Sequence, residues 1–119
     1  KVNIRAIEVK HGLINSIAYI IDDKIAYVSD ANRLYQKDYS YFKGLSYLVI
    51  DCLRVNKHPS HFNLEEILDL VQILKPKNGQ INIPTSQMVK GYDKISITLH
   101  STETNEKGKG EYFLKRIGN

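Results

Sequence analysis

The chain has 119 residues, of which 42% are hydrophobic and 25% are charged, and its formal net charge is +4. This length and composition are typical of one globular domain and exclude wholesale disorder. No stretch reaches the roughly 18 apolar residues of a membrane span, and the first residues match neither a signal peptide nor a transit peptide. A single cysteine excludes an internal disulfide and fits a reducing compartment. We therefore expect a cytoplasmic protein without membrane contact.

The basic surplus lies mostly in the last third of the chain, where residues 77–119 carry 7 Lys and Arg against 4 Asp and Glu. Solvated surface is the interpretation we favour. A nucleic-acid partner stays open on charge alone, but no arginine-rich run or aromatic-interleaved basic motif supports it.

The first half of the chain is rich in strand patterns. Residues 2–9 alternate apolar and polar positions, which predicts a half-buried strand. Residues 15–22 and 24–30 flank a tight polar turn and predict a β-hairpin. A loop with a short helix that ends at Gly44 follows. The nearly continuous apolar run 45–53 then predicts a strand that is covered on both faces.

One helix is predicted over residues 63–75, where apolar residues recur on a single stripe. Asn63 and Glu66 have the spacing of a reciprocal capping pair at its start, and Pro76 ends it. Strand, hairpin, strand and helix in this order predict a layered α/β fold with mixed strand directions.

The pattern changes after this helix. Residues 94–100 predict a strand and residues 111–117 a weaker one, whereas residues 101–110 have the composition of a linker. We divide the chain into a domain over 1–77 and a poorly specified tail over 78–119. Because the first residues lead directly into a strand pattern and lack a Met, we expect the chain to begin inside a domain.

Polar residues stand at the ends of the predicted strands, where α/β proteins commonly place function. These are His11 after the first strand, Asp30 after the hairpin, and His58 and His61 after the buried strand. Imidazole and carboxylate ligands suit Zn, Mn or Fe, so a metal or hydrolytic site is one interpretation. The alternative is a set of unrelated polar loops, in which Asp30 forms a turn. Cys52, in apolar surroundings, predicts an inert thiol.

Several motifs in order resemble the C-terminal half of a metallo-β-lactamase-fold metal-dependent hydrolase. They are "VKHGLINSIAYIIDDKIAYVSDANRL", "GLSYLVIDCLR" and "HPSHFNLEEILDLVQILKPK", and the match spans roughly residues 3–77. The closest branch includes the carbon–phosphorus lyase accessory phosphodiesterase and the pyrroloquinoline quinone biosynthesis protein B-like proteins. The resemblance implies part of an αββα sandwich with a mixed, mainly antiparallel sheet. It also implies hydrolysis of a small phosphodiester or similar substrate, assisted by two divalent ions, Zn or Mn.

The resemblance assigns roles to three residues. His11 in "KHG" corresponds to a metal-ligating histidine, and Asp30 in "YVSDAN" corresponds to the aspartate that bridges two metals. His61 in "HPSHF" corresponds to the active-site histidine, which assists the leaving group or binds the phosphate. Its position before the predicted helix suits contact with an anion.

Three further residues are weaker candidates. The resemblance places His58 beside the site in a supporting role, and Asp51 is a candidate partner for one of the histidines. His100 could stand in for the last metal-ligating histidine of the family, although it lies about twenty residues too far along the chain.

The family's first metal motif, His-x-His-x-Asp-His, is absent, and residues after Lys77 do not resemble the family. His11 and Asp30 alone are expected to hold metal weakly, because a catalytic zinc normally has three protein ligands. We expect a truncated or incomplete copy of the hydrolase. The alternative is a non-catalytic interaction module or inactive remnant with a basic tail, whose uncovered sheet face pairs with another copy or a complementing chain.

Overall fold

The computed structural model describes the backbone of residues 1–84, 94–101 and 112–118, and the side chains of residues 1–83. The strands are β1 (Ile4–His11), β2 (Ile14–Ile21), β3 (Ile25–Val28), β4 (Tyr47–Asp51), β5 (Asn78–Pro84), β6 (Lys94–Ser101) and β7 (Tyr112–Gly118). The helices are α1 (Tyr39–Phe42), which follows a 3-10 turn over Gln36–Asp38, and α2 (Leu64–Leu74).

These strands form one sheet in which the spatial order equals the chain order. The neighbours β3–β4 and β4–β5 are parallel, and the remaining pairs are antiparallel. The fold is therefore α/β with a mixed, mainly antiparallel sheet, as predicted. Because β3, β4 and β5 run in the same direction, their carboxyl ends lie at the same edge of the sheet.

Helix α2 begins and ends as the sequence predicts. The Asn63 side chain accepts from the Glu66 N–H at 2.8 Å, and the Glu66 carboxylate accepts from the Asn63 N–H at 2.9 Å. At the other end, Lys75 has φ +50 and donates its N–H to the Val71 carbonyl, and Pro76 follows. This capping box fixes the entry angle of the helix directly after the segment that carries His58 and His61.

Replacing Asn63 by Ala is expected to lower the free energy of unfolding by about 1 kcal/mol, because the Glu66 N–H loses its side-chain acceptor. Urea unfolding followed by circular dichroism measures this change. Asn63→Asp is the matched control, since its carboxylate keeps the acceptor and favours the helix start. Equal losses in both variants would contradict the capping role.

The hydrophobic core lies between α2 and one face of the sheet. Its helix side consists of Ile67, Leu70, Val71 and Leu74. Its sheet side includes Val9, Ala18, Ile20, Ala26, Val28, Leu48, Ile50, Ile81 and Ile83, with Phe42 of α1 alongside. These strand residues alternate with less buried ones, so this face is the packed one among the side chains of residues 1–83.

The prediction that β4 is covered on both faces is wrong. Leu48 and Ile50 are buried, but Tyr47 and Val49 on the other face are only half-buried. The run is apolar on both faces, yet the described part of the chain places a helix against one of them.

The uncovered side of the sheet, which we call the open face, is apolar across four strands. The register brings Ile4 opposite Ile21, Tyr19 opposite Tyr27, and Tyr27 beside Val49. Ile4, Tyr19 and Tyr27 are 64%, 45% and 44% exposed. Beyond β4 the open face turns polar, because β5 contributes amide side chains there: Asn78, Gln80 and Asn82. Contiguous exposed apolar patches of this kind are common at interaction surfaces in other proteins.

The remaining elements follow the predictions with small shifts. The hairpin turns at Asp22 and Asp23, both with positive φ, and Gly44 ends α1 at φ +65. Strand β1 extends two residues further than predicted, so its last residue is His11 itself. The strand predictions over 94–100 and 111–117 agree with β6 and β7.

The segment after Lys77 continues the sheet. Strand β5, which the sequence did not predict, pairs in parallel register with β4. The division into 1–77 and 78–119 stays a prediction. Among the residues that the structure describes, no helix has the length and apolar character to cross a membrane.

Candidate functional site

Three segments bring His11, Asp30 and His61 together. His11 ends β1, Asp30 follows β3, and His61 lies in the connection between β4 and α2. One ligand atom from each residue lies within 4.8 Å of the others. His11 and His61 are half-buried and Asp30 is exposed, so the cluster opens to solvent on the Asp30 side.

Backbone hydrogen bonds hold these segments to one another. The Asn32 N–H donates to the Lys10 carbonyl at 2.8 Å, and the Asn32 Oδ1 accepts from the Gly12 N–H at 2.7 Å. The Phe62 N–H donates to the Ala31 carbonyl at 2.8 Å. The residues next to the three candidate side chains are thereby held in place, which brings the side chains close to one another.

Asp30 has an uncommon backbone conformation. Its φ of +32 lies on the left-handed side, which Asp adopts more readily than most residues because of its short polar side chain. Non-glycine residues held there cluster at functional sites, because the surrounding structure has to maintain the strain. The conformation also fits the alternative interpretation, in which Asp30 only forms a turn. The proximity of Asp30 to two histidines favours a functional role over a turn alone.

The tautomer of His11 follows from its hydrogen bond. Its Nδ1 lies 2.8 Å from the Ser60 carbonyl oxygen. Since a carbonyl only accepts, Nδ1 carries the proton and Nε2 keeps its lone pair. A backbone carbonyl on one nitrogen and a metal on the other is the usual arrangement of a ligating histidine.

His58 has the opposite tautomer. The Ser60 N–H donates to His58 Nδ1 at 3.1 Å, and the Ser60 hydroxyl lies 3.3 Å from the same nitrogen. Nδ1 is therefore an acceptor, and in the neutral ring the proton is on Nε2. Neither nitrogen of His58 offers a free lone pair for a metal ion, which agrees with the supporting role predicted for it.

His61 lies between the other two imidazoles. Its ring centroid is 4.7 Å from that of His11 and 5.2 Å from that of His58, both in edge-on geometry. Burial lowers the pKa of His61, and the neighbouring His11 and His58 lower it further, against weaker opposing effects of Asp30 and Asp51. The neutral imidazole is thus favoured near neutral pH.

This pKa shift gives the metal-free protein a pH-dependent stability. The pKa of His61 is about 6.5 in the unfolded chain and lower in the folded protein. At a pH between these two values the unfolded chain binds more protons than the folded protein, so protonation favours unfolding. The free energy of unfolding is therefore expected to fall as the pH drops through this window and to level off below the folded pKa. Urea unfolding of wild type and His61→Gln between pH 7.5 and 4.5, roughly the range in which imidazoles titrate, measures the difference. Superimposable profiles would contradict it.

The other predicted site residues lie elsewhere. The Asp51 Oδ1 accepts from the Asn82 side chain at 3.2 Å, and Asp51 acts on His61 only through its charge. The register pairs His100 with Asn78, at the amino end of β5, whereas Asp30 follows the carboxyl end of β3. His100 is therefore not brought to the cluster. Cys52 is buried, as predicted, and burial raises its pKa to about 11, which disfavours the reactive thiolate.

The start of α2 offers less to an anion than its sequence suggests. The N–H groups of Asn63 and Glu66 are already bonded within the capping box, which also places the Glu66 carboxylate there. An anion at this end would meet that negative charge. Contact with a phosphate would therefore have to come from His61 itself.

Two contributors to the site were missed in the sequence. Ser60 contacts both His11 and His58, through its carbonyl and its N–H respectively. Asn32 joins the turn after β1 to the loop after β3. The interactions of Ser60 use its peptide groups, which residue type does not encode. The role of Asn32, two residues after Asp30, could have been predicted, because asparagine side chains in loops frequently form hydrogen bonds with nearby backbone groups.

The donor set fits a divalent cation. A free imidazole nitrogen of His11, the carboxylate of Asp30 and the neutral His61 are the ligand types that Zn and Mn accept. The cluster is exposed on one side, which leaves room for substrate.

Comparison with known proteins supports this interpretation at the level of fold. No protein-family profile matches the chain, and no curated protein matches it. Among solved structures, it is similar to the crystal structure of a new diphosphatase from the PhnP family, with 26% sequence identity and a TM-score of 0.62. The similarity covers 66% of this chain but only 30% of that one, so the chain spans less than a third of that protein. The sheet and this neighbour together support a metallo-β-lactamase-like α/β fold.

Proposed function

We propose that this chain is part of a metal-dependent phosphodiesterase of the metallo-β-lactamase superfamily and acts on a small phosphodiester. The convergence of His11, Asp30 and His61 within 4.8 Å is the observation that carries the proposal. The solved diphosphatase supports the choice of a phosphoryl substrate over a carboxylic ester.

His11 and Asp30 would hold the cation, His11 through Nε2 because Nδ1 is engaged by the Ser60 carbonyl. A bound divalent cation supplies charge that polarises a phosphoryl oxygen and lowers the pKa of water. Neither residue carries out a proton transfer itself. Their arrangement fixes where the phosphoryl group can bind, on the exposed side of Asp30.

His61 is the catalytic residue in this proposal. Its lowered pKa keeps the ring neutral near neutral pH, with one N–H donor and one acceptor nitrogen. The N–H would hydrogen-bond a phosphoryl oxygen or the leaving-group oxygen. Packing between His11 and His58 limits the rotation of the ring, which holds this donor in place.

The direct test is hydrolysis of bis(p-nitrophenyl) phosphate by the purified chain with added Mn²⁺ or Zn²⁺. Metal-dependent turnover that disappears in His61→Ala is expected. Turnover without metal, or bound metal well below one ion per protein at saturating Mn²⁺ and Zn²⁺, would overturn the proposal for this chain by itself.

A second candidate function, a non-catalytic interaction module, is favoured by the open face. We propose that its occupant is a second copy of the chain. Two twisted sheets pack well face to face when both contribute apolar side chains. In a symmetric dimer the exposed Ile and Tyr side chains of the open face would pack against the same side chains of the second copy.

Light scattering coupled to size exclusion tests this self-association. Tyr27→Lys places a charge in the centre of the patch and is expected to convert a dimer into a monomer with an unchanged circular dichroism spectrum. Lys24→Ala, in the turn beside the patch, is the matched control. A monomeric wild-type chain, or a dimer that Tyr27→Lys leaves intact, would contradict the proposal.

A further inference from the structure

Ser60 lies between two histidine rings of opposite tautomer. Its carbonyl oxygen accepts from His11 Nδ1 at 2.8 Å, its N–H donates to His58 Nδ1 at 3.1 Å, and its hydroxyl lies 3.3 Å from the same His58 nitrogen. The N–H and the carbonyl belong to the two successive peptide groups on either side of the Ser60 Cα. Anchoring Ser60 through its N–H and hydroxyl therefore restrains the backbone that places its carbonyl against His11.

Gly12 shows how closely Ser60 is packed against the His11 turn. A Cβ added at Gly12 would lie 2.9 Å from the Ser60 Cβ, and Gly12 has φ +66. A side chain there would push Ser60 away from His11 and strain the turn. The turn after β1 is therefore shaped to accept Ser60 next to His11.

We propose that His58 is a positioning residue for metal binding: by holding the Ser60 N–H, it aims the Ser60 carbonyl at His11 Nδ1 and so presents His11 Nε2 to the cation. His58 itself binds neither metal nor substrate. The proposal rests on the metal site proposed above, and it assigns to His58 a role that acts through Ser60.

The chemistry of the side chains gives a sharp test. Asparagine places its carbonyl oxygen near the position of a histidine Nδ1, whereas glutamine reaches the position of Nε2. His58→Asn therefore keeps the acceptor for the Ser60 N–H, and His58→Gln and His58→Ala do not. A merely space-filling role would rank these variants by size, with glutamine closest to wild type.

The first readout is independent of metal. In metal-free protein at about pH 8, where imidazoles are neutral, ¹⁵N chemical shifts report which nitrogen of His11 carries the proton. Wild type and His58→Asn are expected to hold the proton on Nδ1, and His58→Gln and His58→Ala are expected to show a mixture of tautomers. An unchanged His11 tautomer in all variants overturns the proposal.

The second readout is calorimetric titration with Zn²⁺ and Mn²⁺. Loss of a partner that orients a ligating histidine typically weakens metal binding about 10–100-fold. We expect His58→Gln and His58→Ala to lose metal affinity by this amount. The metal affinity of His58→Asn is expected to stay within roughly a factor of three of wild type. A His58→Asn variant that is folded but binds as weakly as His58→Ala overturns the proposal.

The two readouts separate this inference from the proposed function. If the His11 tautomer shifts as expected but no variant binds metal, His58 still orients His11 through Ser60, while its role in metal binding and the hydrolase proposal are both overturned. If wild type binds metal and the His11 tautomer does not respond to His58, the positioning role is overturned and the proposed metal site stands.

Discussion

Asp30→Asn is expected to weaken binding of Mn²⁺ and Zn²⁺ by more than about 100-fold, since removing a direct ligand exceeds the 10–100-fold cost of losing a partner behind one. Asparagine preserves the size of the side chain and tolerates the positive φ of residue 30, so the fold is expected to persist. The effect therefore isolates the carboxylate charge. Isothermal titration with each cation measures it.

Asp23→Asn is the matched control for this experiment. Asp23 also has a positive φ, +53, but lies in the β2–β3 turn, where it forms a 3.8 Å ion pair with the exposed Arg5. Its substitution is expected to leave metal affinity unchanged. If Asp30→Asn and Asp23→Asn bind metal equally well, Asp30 forms a turn and is not a ligand.

His61→Ala is expected to reduce turnover of a phosphodiester by about 10²–10⁴-fold, the usual range for a residue that transfers or donates a proton to the reacting group. Metal affinity is expected to stay within a few-fold of wild type, because His11 and Asp30 are the proposed ligands. Steady-state kinetics and metal titration of the same preparation give both numbers.

The affinity measurement decides between two roles of His61. Its ligand atom lies within 4.8 Å of those of His11 and Asp30, so it is also within reach of the same ion. A loss of affinity as large as that of Asp30→Asn would make His61 a third ligand and overturn its catalytic assignment. His100→Ala is the matched control, because the register places its backbone at the opposite end of β5 from the cluster.

The elements that the sequence predicted well are those whose signals are local. The apolar stripe of α2 and the pairing of Asn63 with Glu66 require only residues within one helix, and both are found. The turn at Asp22 and Asp23 is likewise determined by the residues within it, which adopt the positive φ that the turn requires. Strand β5 was missed because its pattern holds only two apolar residues, Ile81 and Ile83, and ends in Pro84.

The extent of burial could not be predicted, because it depends on what covers a strand. The apolar run of β4 has the composition of a strand packed on both sides, yet the described residues supply a partner for one side only. A residue pattern records the environment a strand is suited to. It does not show whether the covering element belongs to the same part of the chain.

The candidate site was accessible from sequence only in part. His11, Asp30 and His61 were singled out as polar residues at strand ends and by family resemblance, and the structure brings them together. Asp51 and His100 were proposed by the same kind of reasoning. In the structure the Asp51 side chain accepts a hydrogen bond from Asn82, and the backbone of His100 pairs with that of Asn78. Contacts made by the Ser60 peptide depend on the path of the loop, which residue types do not specify.

The buried Cys52 makes the chain its own reporter of local opening. Its side chain is 1% exposed, its pKa is raised to about 11, and its N–H donates to the Asn82 carbonyl of β5 at 2.8 Å. A thiol reagent can reach it only when the structure around the side chain opens, because the thiolate is scarce and the sulfur is shielded. The rate of alkylation in native buffer therefore measures how often the carboxyl end of β4 opens. Labelling as slow as global unfolding would mean that this end of β4 opens only when the whole core unfolds.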